Sequence, residues 1–126
     1  MATIDHIIVP VNDLQASVTF YTQILGFAPA GKDGPFTLIQ VSPGFLLLLH
    51  TQRTDGFQHY AFAMSRTEFD AVFTRIKAAG MAYGPSFDSV GSNSGVGQER
   101  GARGVAPTIY FNDPNNHLLE IRTYED

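Results

Sequence analysis

Two imidazoles and a carboxylate stand in apolar runs where polar side chains are costly: His6 in T-I-D-H-I-I-V-P, His59 in F-Q-H-Y-A-F-A-M and Glu120 in H-L-L-E-I-R-T. An ionised carboxylate or a bare imidazole is expensive to bury unless it is paired or coordinated, so three of them in three strand-like runs imply a shared partner. Two neutral imidazoles and one carboxylate leave open positions on Fe(II), Mn(II), Ni(II) or Zn(II), which lets the metal also hold adjacent oxygens of a substrate. A lone histidine in an apolar strand is ordinarily a hydrogen-bonded core residue. Three polar residues at matching positions favour a common site.

Side chains two apart on a strand share a face, which gives the rows Ile4, His6, Ile8; His59, Ala61; and Leu118, Glu120, Arg122. The small Ala61 and Ala63 beside His59 leave room for a ligand. Arg122, on the face of Glu120, is placed to pair with an anionic substrate or with Glu120 itself; an outward, solvated arginine is the ordinary alternative.

The elements that carry these residues repeat. Ile4 to Pro10 reads as a strand, and Asn12 or Asp13 caps a helix with Leu14, Val18, Tyr21 and Leu25 on one face, ended by Gly26. Strands follow near Phe27–Pro29, Phe36–Val41 and Phe45–Thr51. The second half repeats the order: a strand from Phe57 to Met64, a capping box Ser65-Arg66-Thr67-Glu68, a helix with Phe69, Val72, Phe73 and Ile76 inward, and Gly80. Short strands are expected near Met81–Tyr83 and Ser86–Val90, then at Ala106–Phe111 and His117–Thr123, with Asn112 to Asn116 as the turn. His117, out of parity on the last strand, belongs to this hairpin and not to a metal. His6 and His59 are 53 residues apart and Gly26 and Gly80 are 54 apart, so two βαβββ modules, about 1–52 and about 56–126, form one domain over 1–126. The fold class is α+β, with the two modules paired into a cup-shaped half-barrel whose concave face can hold a ligand.

The 126 residues suffice to bury roughly two-thirds of the unfolded surface without staples. No cysteine is present, which excludes thiolate ligands and a cysteine nucleophile and fits a reducing compartment, with cytoplasm as the default. No run approaches the ~20 apolar residues of a membrane span, and the N-terminus has no basic lead, so a soluble, unprocessed chain is expected. A formal charge of −4, with eight scattered basic residues, offers no footprint for nucleic acid. The glycine-rich stretch from Gly91 to Gly104 reads as one long mobile loop; it lacks a phosphate-cradle motif. As a lid it would bring Gln98, Arg100 and Arg103 over the cup to touch substrate; a solvated loop is the plainer reading.

The segments D-H-I-I-V at Asp5–Val9, F-Y-T-Q-I-L-G-F at Phe20–Phe27, H-Y-A-F at His59–Phe62 and Y-F-N-D-P-N-N-H-L-L-E at Tyr110–Glu120 together resemble the vicinal-oxygen-chelate superfamily of glyoxalase I, extradiol dioxygenases, fosfomycin-resistance and bleomycin-binding proteins. The resemblance spans nearly the whole chain. It implies a glyoxalase-like fold and a divalent metal in the cup on His6, His59 and Glu120. It also implies that Tyr110 touches substrate, where a phenol can donate to an oxygen that gains charge; a core aromatic is the alternative. A four-ligand site of the glyoxalase I kind would need a carboxylate where Leu48 stands, and leucine cannot coordinate. His50, two residues on, is open to four roles: fourth ligand, support for the ligands, general base, or a strand-end histidine in solvent.

The first functional expectation is therefore a metal-dependent enzyme that chelates a small oxygenated substrate, extradiol-dioxygenase-like or a related lyase or isomerase, with Tyr110 or His50 handling protons. A second is a fosfomycin-type transferase or hydrolase. A third is a non-catalytic, bleomycin-type binder that would use Phe36, Phe45, Phe57 and Tyr60 around a planar ligand. In relatives whose modules pair across subunits, the first histidine comes from one chain and the other two ligands from its partner, so a homodimer with shared sites is expected.

Overall fold

In the computed structural model, which describes residues 1–126, the chain forms two compact units, Met1–Asp55 and Gly56–Asp126. Each has the element order strand, helix, strand, strand, strand, and each holds a four-stranded mixed sheet, so the architecture is α+β.

The first unit comprises β1 (His6–Val11), α1 (Leu14–Thr19), β2 (Ala28–Asp33), β3 (Phe36–Ser42) and β4 (Phe45–Thr51), in the sheet order β1-β4-β3-β2. Only the β1–β4 pair is parallel. Val9, Val11, Ile39, Leu47 and Leu49 are fully buried on one face. Each is worth about 1.5–3 kcal/mol there, and a slip of one residue would expose them all, so their burial fixes the parity of the strands. That parity puts His6, Ile8, Leu46, Leu48 and His50 on the opposite face.

The Asp13 side chain caps α1 by accepting from Ala16 N at 3.0 Å. The continuous α-helix expected through Leu25 is not what forms: Phe20–Ile24 is a π-helical turn, in which Leu25 N donates to Phe20 O at 3.2 Å. The wider turn swings Phe20 inward beside Tyr21, their rings edge-to-face at 5.0 Å, and leaves Leu14 and Val18 only half-buried. Strand β2 runs beyond the expected Phe27–Pro29 as an exposed edge, with a bulge between Pro29 and Lys32.

The second unit comprises β5 (His59–Ala63), α2 (Arg66–Ala78), β6 (Gly97–Gly101), β7 (Gly104–Asn112) and β8 (Leu118–Arg122), in the order β5-β8-β7-β6 with β5 parallel to β8. The capping box forms as expected: Ser65 Oγ accepts from Glu68 N at 3.1 Å, and the Glu68 carboxylate accepts from Ser65 N at 3.4 Å. Gly80, at φ +68°, takes the left-handed conformation that ends the helix. Phe69, Val72 and Ile76 of α2 are buried, as are Phe62, Ile109, Phe111, Leu119 and Ile121 of the sheet.

Two expectations fail here. Met81–Tyr83 and Ser86–Val90 form no strands; the segment is tied by Tyr83 O, which accepts from Gly91 N (3.0 Å) and Asn93 N (2.9 Å), and by the backbone pair Gly84–Tyr110. The expected loop Gly91–Gly104 instead contains β6, which turns through Ala102 and Arg103 into β7. A backbone ladder needs only N–H and C=O groups, so a glycine-rich, polar edge strand carries no hydrophobic alternation to read. No helix is long and apolar enough to cross a membrane.

Candidate metal centre

The register of the second sheet gathers the chemistry. Tyr110 faces Glu120 across β7 and β8, Ala61 lies beside Glu120, and His59 is level with Leu118. Tyr110 bonds its backbone to Gly84 on its other side (N to O 2.9 Å, O from N 3.0 Å), so Tyr110 and Glu120 form the non-hydrogen-bonded type of pair, in which side chains approach most closely.

The Glu120 carboxylate is the hub, and its side chain is only 7% exposed. Its Oε1 lies 2.9 Å from His59 Nε2, and its Oε2 accepts from Arg122 Nη1 at 2.9 Å. The Tyr110 side chain lies on the Glu120 face, and its ring stacks near-parallel with the His59 ring at 6.1 Å. Burial, reinforced by the charge of Glu120 and then that of Glu99, pushes the Tyr110 phenol up to about 12, so it stays a proton donor at neutral pH.

His59 Nδ1 lies 3.0 Å from the Leu118 carbonyl oxygen. A carbonyl only accepts, so Nδ1 carries a hydrogen, and Nε2 faces the Glu120 carboxylate. An ionised carboxylate also only accepts, and two acceptors at 2.9 Å repel unless a cation lies between them, either a second proton on the imidazole or a metal ion. The donor set therefore fits a divalent metal: a tautomer locked by a backbone carbonyl, and a carboxylate whose other oxygen is already held.

In the first unit, His6 is half exposed, and its Nδ1 lies 2.7 Å from Asp5 Oδ2. That carboxylate orients the ring and leaves Nε2 as the outward donor. His59 and Glu120 are thus brought together, whereas His6 sits on the first unit; no three His, Asp or Glu side chains converge on one point.

The remaining candidates are dispersed. His50 shares the face of His6, but His6 is level with Leu46 in the β1–β4 register, so His50 lies four residues further along, roughly 13 Å at 3.3 Å per residue. Its Nδ1 is buried without a hydrogen-bond partner, and its ring lies 5.4 Å from that of Phe36. Arg122, 4% exposed, donates to Glu120 and, through Nη2, to Glu99 O at 2.7 Å and Gly104 O at 3.1 Å. Arg103 stacks over the Tyr124 ring at 4.2 Å, at the hairpin turn seven residues and roughly 23 Å of strand from Tyr110. Its backbone N–H, bonded to the Tyr124 hydroxyl, holds that phenol below the usual range. Gln98 and Arg100 share the register of Pro107 and Val105, on the face away from Tyr110.

Sequence reasoning missed three contributors: the Asp5 side chain, the Leu118 carbonyl and Glu99. The adjacency D-H signalled the first. The others depend on a strand register, and no residue type announces a backbone oxygen.

A sheet face that brings together a histidine, a held carboxylate and a protonated phenol has the chemistry to take a metal and a small oxygenated ligand. The chain belongs to the glyoxalase/bleomycin resistance protein/dioxygenase superfamily, whose family model matches residues 3–121. It is 28% identical to metallothiol transferase FosB of Shouchella clausii, over 95% of this chain and 79% of that one. It is 25% identical to fosfomycin resistance protein FosX of Listeria innocua, over 94% and 86%. Among solved structures it superposes on oxidase ChaP-H2 with a TM-score of 0.81 at 32% identity, covering 97% of this chain and 93% of that one.

Proposed function

We propose that the protein is a metal-dependent enzyme of the fosfomycin-resistance type, which adds a thiol or water across the strained ring of a small oxygenated substrate. The observation that carries this reading is the His59–Glu120 pair, with Nε2 and Oε1 2.9 Å apart beside a phenol that remains protonated. His59, Glu120 and the His6 of a second copy are the proposed ligands, in a two-fold homodimer with shared sites. When bound, a divalent metal supplies Lewis acidity to substrate oxygens. In the addition, the nucleophile bonds to a ring carbon, the carbon–oxygen bond breaks, and the freed oxygen takes the proton that the thiol or water gives up. Tyr110 donates a hydrogen bond to that oxygen as its charge grows. Incubation with fosfomycin, Mn(II) and a thiol, followed by phosphorus NMR, tests this. Loss of the epoxide in the native protein and not in Glu120→Gln is expected; no turnover with any thiol or water, in a protein that does take up Mn(II), overturns it.

A second reading is an oxygenase acting on a vicinal diol or enol. It is favoured by the commitment of Arg122 to Glu120, Glu99 O and Gly104 O, which leaves no free arginine on this face for a phosphonate, and by the position of Glu99 on the same face. The likeness to oxidase ChaP-H2 points the same way. Oxygen uptake by the Fe(II)-loaded protein with catechols separates the two readings.

A further inference from the structure

We propose that Arg122 is a positioning residue, which makes Glu120 a one-oxygen ligand and ties its orientation to the β6–β7 hairpin. The inference rests on the metal-centre reading above and concerns how the carboxylate is held. Arg122 Nη1 occupies Glu120 Oε2 at 2.9 Å, so only Oε1 is presented toward His59. A carboxylate held in this way cannot swing to bind through both oxygens, and that preserves open positions for substrate.

The guanidinium is itself anchored at its far end. Nη2 donates to Glu99 O in β6 and to Gly104 O at the start of β7, so both strands of the hairpin grip the arginine that grips the ligand. Tyr124 covers it, with the Arg122 guanidinium 5.1 Å from the ring centre. Gly101 completes the seat: a Cβ there would run into the Arg122 guanidinium and the Tyr124 hydroxyl. A side chain at this point of β6 would force the guanidinium or the Tyr124 ring to shift, which gives Gly101 a role at the site.

The first unit supplies an internal control. By register, Leu48 beside Ile8 corresponds to Glu120 beside Ala61, and His50 beside Pro10 corresponds to Arg122 beside Ala63. Where the carboxylate position holds leucine, the arginine position holds no arginine.

The test is Mn(II) titration of the native protein, Arg122→Met, Arg122→Lys, Gly101→Ala and Glu120→Gln, each checked for native circular dichroism. Arg122→Met is expected to weaken Mn(II) binding about 10- to 100-fold, the range for partners of metal ligands, with Arg122→Lys and Gly101→Ala in between. The double variant Arg122→Met/Glu120→Gln should bind no worse than Glu120→Gln alone, because Arg122 acts through Glu120. A merely structural role predicts losses that add. Native affinity in Arg122→Met overturns the proposal; should that variant not fold, native affinity in both Arg122→Lys and Gly101→Ala does so. If the native protein takes up no metal, it is the metal reading that fails. A crystal structure of the metal-free Gly101→Ala protein then decides the positioning claim: a displaced Glu120 carboxylate supports it, and an unchanged Glu120 contact to His59 overturns it.

Discussion

The two units build the same sheet and arm it differently. In each, a histidine opens the first strand, the last strand runs parallel to it, and the residue two places past the histidine's neighbour lies on the same face. The first unit carries His6, Leu48 and His50 there, with Leu38 opposite Leu48. The second carries His59, Glu120 and Arg122, with Tyr110 opposite Glu120. The scaffold therefore does not require the polar residues; the second unit keeps a buried ion pair that its sister lacks, and a buried pair is weak evidence for stability. Its presence is better explained by the site it forms.

The strongest way to break this comparison is to rewrite the second unit as the first. Glu120→Leu removes one partner and leaves Arg122 buried without its counter-ion, so urea denaturation should show a loss of about 3–5 kcal/mol, together with loss of metal uptake. Adding Arg122→His, which copies the first unit's pair, should recover most of the stability and none of the metal binding. Recovery of both would mean that the pair serves folding alone.

Tyr110→Phe should lower turnover about 10²-fold or more, as for a removed donor to developing charge, with metal affinity little changed. Its pH signature is specific. The folded phenol is raised from its ordinary value of about 10 to about 12, so the stability it contributes is fully present below pH 10 and is lost as the pH rises through 12. Melting temperatures followed over that interval should fall more steeply in the native protein than in Tyr110→Phe. Parallel curves would remove Tyr110 from the carboxylate's neighbourhood.

The smallest effect is expected at His50, the first unit's counterpart of Arg122. Its buried Nδ1 has no hydrogen-bond partner, so His50→Phe should change stability by no more than about 0.5 kcal/mol and leave metal affinity as it was. Loss of metal in that variant would restore His50 as a ligand.

What could be read from residues alone follows from how local each signal is. The repeat, the Ser65–Glu68 cap, the shared face of Glu120 and Arg122, and the contrast of Leu48 with Glu120 all rest on spacings of a few residues or on one fixed lag. The π turn at Phe20–Ile24 follows from packing, and strand β6 from backbone pairing at an edge, neither of which leaves a hydrophobic period. Parity placed Arg122 on the right face and left its partner open; only the register with Glu99 and Gly104 shows where its other donors go. Arg103 sits in the β6–β7 turn, where the sequence alone offers a solvated loop with a lid as the alternative.

The central claim is a metal held by His59 and Glu120 of one copy and His6 of another, and mixing two defective variants tests it most directly. His6→Ala and Glu120→Gln should each bind Mn(II) weakly alone, and after unfolding and refolding together they should regain tight binding at one site per mixed dimer. A mixture that stays as weak as its parts, when the native protein binds tightly, would contradict the shared centre.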